Sequence, residues 1–185
     1  MLQTSIGPAL APVARFLQAH PGTAPAVLVV GAVAVLLSGP LSRRLHRGRV
    51  VSPLLLVVTA VPFVLTLTPN SDPGYALQWC VTELRPVSDW GQGGEELANA
   101  VMLAPFGLLV LAVLSRRAAA VALALAAAFP FAVELAQYAV PRLGRTCETT
   151  DVVLNLAGLL VGVLLGLPVR ALTGRHRRDR VPARR

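Results

Sequence analysis

Six polar residues lie within or next to long apolar segments of the chain, and their types could do chemistry. Two carry carboxyl groups, which could act as general acids or bases or accept hydrogen bonds from a ligand. One carries a guanidinium, which could bind a phosphate or carboxylate as a bidentate fork, and three carry amides that could orient the others. These residues are Asn99, Glu134, Gln137, Arg145, Asp151 and Asn155.

The segments around these residues are predicted to be membrane-spanning helices. Of the 185 residues, 55% are hydrophobic and 14% are charged, whereas about a quarter of the residues of a soluble domain are charged. Hydropathy predicts five spans, at 24–41, 51–68, 97–114, 118–140 and 152–172. The predicted fold class is therefore all-α, a polytopic transmembrane helical bundle.

The charged residues predict the orientation of this bundle. Arginines concentrate in the first and third connections and in the C-terminal tail, whereas the second connection, 69–96, is mainly acidic. Because basic connections stay in the cytoplasm, we expect the N-terminus outside and the C-terminus inside. Residues 1–23 are then an interfacial segment, 24–172 the bundle and 173–185 a basic cytoplasmic tail.

The net charge of +8 does not indicate a nucleic-acid partner. The arginines lie in short runs between apolar segments, where orientation signals belong, and no aromatic or folded module accompanies them. We expect membrane lipids as partners instead, and no cofactor.

The predicted orientation places the polar residues near the outer leaflet. Glu134 lies six residues from the outer end of its span, about 9 Å deep by helical rise. Glu134 and Gln137 share one helix face, as do Asp151 and Asn155. Carboxyl groups at this depth need a partner, a water-lined cavity or a proton. Arg145 is expected to pair with Asp151 or Glu148, or to bind an anion.

Several residues are expected to shape the helices rather than to bind a ligand. Pro130 and Pro105, the latter followed closely by Gly107, are expected to bend the fourth and third spans. A stripe of small residues in the fifth span allows close helix packing, and we expect the fourth span to be its neighbour. The stripe consists of Gly158, Gly162 and Gly166.

Two cysteines lie in connections that are both predicted to be outside. Cys80 is in the second connection and Cys147 in the fourth, and the outer compartment is oxidising. We predict a disulfide between them, with two free thiols as the alternative. No metal site is expected, because the only histidine on that side is His20.

The polar blocks together resemble the VanZ-like family of membrane proteins. The resemblance rests on the run NAVMLAPFG from Asn99 to Gly107, on Glu134-Leu-Ala-Gln137, and on the block from Arg145 to Gly158, and it covers a core at 69–166. The chain departs from the family pattern at Glu148 and Thr150, where members often carry aspartates. The resemblance implies a multi-pass protein of the bacterial plasma membrane with a role in the cell envelope, since the family's namesake is associated with resistance to teicoplanin-type glycopeptide antibiotics in bacteria.

Three functions are compatible with these residues. The leading hypothesis is an outer-leaflet site that binds an amphiphile, either a lipid head group or a lipoglycopeptide, through Glu134 and Arg145. The second is an enzyme acting on a lipid or cell-wall precursor, with Glu134 or Asp151 as acid or base. The third is a non-catalytic scaffold for envelope proteins. The sequence does not choose between enzyme and binding protein, and it does not indicate an oligomeric state.

Overall fold

A computed structural model of the protein describes residues 14, 17–18, 20–45, 51–71, 79–86, 88 and 95–178. Most of the predicted interfacial segment, 1–23, lies outside these described residues. The same holds for the basic tail beyond residue 178, and side chains are not described at 40–45, 51–52, 95 and 173–178.

The described chain is helical, which confirms the predicted all-α class. It contains no strand, and its only pairing of that kind is an isolated bridge between Val81 and Glu148. A three-residue 3-10 helix, Pro141–Leu143, follows the fifth α-helix. In chain order the α-helices are α1 (Thr23–Leu45), α2 (Val51–Leu67), α3 (Glu95–Met102), α4 (Ala104–Val113), α5 (Arg116–Ala139) and α6 (Thr149–Arg178).

Three stretches are long and apolar enough to cross a membrane. They are Glu96–Val113, Arg116–Ala139 and Thr149–Leu172, while Thr23–Gly39 and Pro53–Leu67 are shorter apolar helices. Helices suit this environment because every backbone N–H and C=O finds its partner within the segment. Large apolar side chains also cover the outside of the bundle, with Leu28, Leu125 and Leu160 each more than half exposed. The protein is therefore a helical membrane protein.

The prolines act differently in the two helices where a bend was expected. The third predicted span is divided at Leu103, and Pro105 lies in the first turn of α4, where a missing N–H costs nothing. The Gly107 N–H donates to the Leu103 carbonyl at 3.0 Å, so the chain continues as a helix beyond the division. In α5, by contrast, the helix runs through a buried Pro130 without interruption.

The glycine stripe of α6 packs against α3 and α4. A Cβ built on Gly158 would overlap the carbonyl oxygen of Ala100, and one built on Gly162 would overlap that of Ala104. The backbones therefore touch with no room for a side chain. The expectation that the stripe meets the fourth predicted span is thus wrong, because it meets the third.

The physical reason lies in the small residues of the third span. Gly107 on α4 faces α6 in turn, and a Cβ there would lie 2.8 Å from the carbonyl oxygen of Leu159. Alanine and glycine on α3 and α4 therefore oppose glycine on α6, which allows the backbones to approach each other closely. Beside this contact, an apolar cluster of Leu103, Ala126 and Leu159 packs α5 against α6 and against the junction of α3 and α4.

We predict that Gly162→Ala destabilises the protein, because the added methyl group would collide with the backbone of Ala104. The matched control is Gly31→Ala in α1, where an added Cβ meets nothing within 4 Å and alanine is the better helix former. Overpacking of this kind costs about 1–3 kcal/mol. Thermal unfolding of the purified protein in detergent should show a lower midpoint for Gly162→Ala only. Equal midpoints for the two variants would contradict the close contact.

Candidate functional site

A small polar cavity lies at one end of the bundle, where α2 and α5 end and α3 and α6 begin. Its volume is about 20 Å³, which is room for about one water-sized group. Alongside the apolar residues Leu65, Ala98, Met102 and Val133, the wall contains Thr66 and all six polar residues singled out in the sequence. These are Asn99, Glu134, Gln137, Arg145, Asp151 and Asn155.

The last turns of α5 supply a carboxyl group and an amide. Glu134 is 8% exposed, and its Oε2 atom accepts a hydrogen bond of 2.6 Å from the backbone N–H of Glu148. Gln137, three residues on and on the same face, donates from Nε2 to the Thr66 carbonyl at 3.3 Å. The two residues thus join α5 to the loop before α6 and to the end of α2.

The first turns of α6 supply a second carboxyl group and a second amide. Asn155 is buried, and its Nδ2 atom donates to the carbonyl of Asp151 at 2.9 Å. The glycine contact one turn further along α6 brings this face against α3, so that a Cβ on Gly158 would be 3.7 Å from the Asn99 carbonyl. Close backbone packing is therefore what places Asn99 on the same wall as Asp151 and Asn155.

Arg145 connects the loop between α5 and α6 to the end of α2. Its Nη2 atom donates to the Leu65 carbonyl at 2.8 Å, and its Nε atom donates to the Thr68 carbonyl at 3.3 Å. A guanidinium at the C-terminal end of a helix satisfies carbonyls that have no intrahelical donor and interacts favourably with the helix dipole. Arg145 therefore positions the cavity wall as well as contributing positive charge to it.

A short segment, residues 79–86, covers this end of the bundle, and we refer to it as the strap. The strap pairs with the loop before α6: the Val81 N–H donates to the Cys147 carbonyl at 2.8 Å, and the Thr149 N–H donates to the Val81 carbonyl at 3.0 Å. The backbone N–H of Arg85 also donates to the hydroxyl of the buried Thr150 at 3.0 Å.

Arg85 ties the strap to α3 and to the loop before α6 through ion pairs that were not predicted from the sequence. Its Nη1 atom lies 2.6 Å from Glu96 Oε1 in α3, and its Nη2 atom lies 2.7 Å from Glu148 Oε1. Glu148 thus pairs with Arg85 in the structure. Burial lowers the pKa of Arg85, but the charges of Glu148 and Glu96 outweigh it and the pKa is raised overall. A sequence signal existed, since Arg85 is the one arginine in an acidic connection.

A disulfide between Cys80 and Cys147 closes the same end of the bundle. The two residues are 67 positions apart, and the Cα atoms are separated by 4.6 Å. The bond joins the strap directly to the loop whose backbone N–H at Glu148 donates to Glu134. The disulfide, the ion pairs and the backbone hydrogen bonds together hold the strap in place over the polar cavity.

Fold and site define a class: a helical membrane protein with a polar cavity at one end of its bundle. A family model described as VanZ/LLP1 matches residues 26–170. The chain belongs to the VanZ/LLP1 family. The match includes α1 and α2 as well as the region that carries the polar motifs. No curated protein and no solved structure gives a significant match.

We predict that the disulfide stabilises the protein substantially. In the chain-entropy model, a cross-link that closes a loop of this length contributes about 4 kcal/mol. The double variant Cys80→Ala/Cys147→Ala should therefore unfold at a clearly lower temperature than the wild type, and a reductant should lower the midpoint of the wild type alone. Thiol labelling of the denatured wild type without reductant should find no free thiol. Two labelled thiols would contradict the bond.

Proposed function

We propose that this VanZ/LLP1 family member is a multi-pass protein of the bacterial plasma membrane whose outer-leaflet site binds the polar part of an amphiphile. The ligand would be a membrane lipid or a lipoglycopeptide, with its polar group in the polar cavity. The link to glycopeptide resistance comes from the family resemblance. The amphiphile itself is argued from the chemistry of two neighbouring surfaces.

The proposed topology has five spans, with the N-terminus outside and the C-terminus inside. It counts α1 and α2 as spans together with the three longer helical stretches. The exposed Arg116 and Arg117 begin α5 at the end of the bundle opposite the polar cavity, and the positive-inside rule assigns that end to the cytoplasm. The polar cavity, the strap and the disulfide then face the outer, oxidising side.

The observation that carries the proposal is the convergence of six polar side chains from α3, α5, α6 and one loop on a single cavity. Glu134, Gln137 and Asn155 are each at most 8% exposed. Polar groups buried inside membrane-spanning helices are costly to insert, and they usually mark a ligand or ion site. If these positions served only for helix packing, apolar side chains would fill them at a lower free energy of membrane insertion.

An apolar groove begins next to the polar cavity. The groove is lined by α2, by α5 and by the region where α3 ends and α4 begins. Its volume is about 540 Å³, which lies within the range of about 300–1,000 Å³ that is usual for ligand pockets. Its residues include Pro62, Phe63, Phe106 and Phe129, and the rings of Phe63 and Phe129 meet edge-to-face with centroids 4.6 Å apart.

The groove and the polar cavity use successive turns of the same helices. On α2 the groove ends at Phe63 and the cavity begins at Leu65, and on α5 the change falls between Ala132 and Val133. A polar cavity adjacent to an apolar groove matches an amphiphile, whose chain would lie in the groove while its head meets the carboxyl and amide groups.

We predict that Glu134→Gln weakens amphiphile binding without unfolding the protein. Glutamine keeps the size of the side chain and an oxygen that can accept from the Glu148 N–H, but it removes the group that can carry a negative charge. The matched control is Glu83→Gln, an exposed position on the strap outside the cavity. Vesicles of phosphatidylethanolamine and phosphatidylglycerol, titrated into the detergent-purified protein, should raise its unfolding midpoint saturably.

The expected stabilisation is about 2.7 kcal/mol for the wild type and Glu83→Gln at a hundredfold excess of lipid over the dissociation constant. For Glu134→Gln it should be much smaller at the same lipid concentration. Teicoplanin, titrated in place of the vesicles, tests the lipoglycopeptide as ligand. Equal lipid stabilisation of all three proteins would contradict a binding role for the cavity, and no stabilisation of the wild type by lipid or teicoplanin would contradict the proposed function.

A further inference from the structure

The polar cavity contains two buried oxygen atoms that lack a donor. Gln137 is 5% exposed and Asn155 is 4% exposed, and among the described residues Gln137 Oε1 and Asn155 Oδ1 have no hydrogen-bond partner. Both side-chain nitrogens are already used, since they donate to the backbone carbonyls of Thr66 and Asp151. Because a carbonyl can only accept, these bonds determine which end of each amide is the nitrogen. A ligand must therefore donate hydrogen bonds to this wall.

The charges of the wall favour a positively charged donor. Glu134 and Asp151 contribute two carboxyl groups, and Arg145 contributes one guanidinium that donates to the carbonyls at the end of α2. With these groups ionised, the wall carries a net negative charge. A carboxylate within a membrane-spanning helix is costly unless another charge compensates it. A small cation with several N–H donors would meet both requirements.

The size of the cavity restricts the cation further. A volume of about 20 Å³ admits a group about as large as one water molecule. A primary ammonium has this size and three N–H donors, whereas a trimethylammonium is larger and has none. Among the described residues, no group of three or more His, Cys, Asp or Glu side chains is placed to hold a metal ion.

We propose that the polar cavity binds a primary ammonium group, which donates hydrogen bonds to Gln137 Oε1 and Asn155 Oδ1 while Glu134 and Asp151 compensate its charge. The inference rests on the proposed function, since it assigns the chemistry of the head group whose chain lies in the apolar groove. A lipid with an ethanolamine head carries such a group, and so does a water-soluble amine.

The experiment varies only the methylation of the ligand nitrogen. The protein is reconstituted in nanodiscs of phosphatidylglycerol that contain phosphatidylethanolamine, its N,N-dimethyl derivative or phosphatidylcholine, all with the same acyl chains. We expect the unfolding midpoint to rise with phosphatidylethanolamine and to fall back with each methylation. Because hydrogen bonds to charged groups are lost, the apparent affinity for phosphatidylcholine should be at least about tenfold lower.

Each outcome decides a separate point. Equal saturable stabilisation by phosphatidylethanolamine and phosphatidylcholine would overturn the ammonium site but leave amphiphile binding intact. Stabilisation by neither lipid, in an otherwise folded protein, would count against the proposed function as well. In detergent without lipid, stabilisation by ethanolamine supports the ammonium and identifies a soluble source, whereas stabilisation by sodium chloride but not by choline chloride would overturn it in favour of a bare cation.

Two variants test the assigned acceptors. Gln137→Met and Asn155→Leu each replace an amide by an apolar group of similar size, and Tyr138→Phe, at an exposed position on α5, is the control. We expect both cavity variants to lose the preference for phosphatidylethanolamine while the control keeps it. Retention of the preference by both cavity variants would overturn the proposal. Should either fail to fold, the methylation series on the wild type decides by itself.

Discussion

With hydrogen in place of a side chain at Gly158 and Gly162, α6 lies directly against the carbonyl oxygens of Ala100 and Ala104. In a bilayer, the lipid is as apolar as the helices, so close backbone packing replaces the hydrophobic effect as the force that joins them. This contact sets the distance between α6 and the α3–α4 pair. It also places Asn155 and Asp151 on one wall with Asn99, which no interaction among those polar groups would accomplish.

The rest of the polar end depends on that frame. Glu134 on α5 accepts from the backbone of the loop that leads into α6, and Arg145 in the same loop holds the end of α2. The strap then covers the site through the Cys80–Cys147 bond and the ion pairs of Arg85. Polar groups that would be costly in lipid are thereby enclosed together. What is left at the centre is a space for one small group, bounded by the side-chain oxygens of Gln137 and Asn155, which have no hydrogen-bond donor among the described residues.

Much of this arrangement could be predicted from the sequence, because hydropathy and helical rise fix the depth of a residue in the membrane. Depth alone places Glu134 and Asp151 near the same end, and helical spacing places Gln137 and Asn155 beside them. Which helices are neighbours in the bundle could not be predicted in this way. The hydropathy of the chain is the same for every possible arrangement of the helices around one another. The partner of the glycine stripe was therefore predicted wrongly. Whether Gly158 meets the third or the fourth span depends on small residues of the neighbouring span such as Ala100, and the sequence of the fifth span alone does not show them.

The contacts made by the connecting segments could also not be predicted from the sequence. Arg85 lies 11 residues from Glu96 and 63 from Glu148, and no periodicity relates such positions. Arg145 shows the same difficulty, since its hydrogen bonds go to backbone carbonyls, and every residue has one. The family match over 26–170 agrees with the three polar blocks, while the ligand-binding roles of the six residues in them remain our proposal.

The central claim is that head and chain of one amphiphile occupy the polar cavity and the apolar groove together. Its most direct test uses a phosphatidylethanolamine with a diazirine in its acyl chain, photo-crosslinked in nanodiscs and mapped by mass spectrometry. The account predicts labels on Phe63, Phe106 and Phe129 that excess unlabelled lipid removes, and only uncompeted background on exposed residues such as Leu28 and Leu160. Uniform labelling of all these residues, unchanged by the competitor, would contradict it.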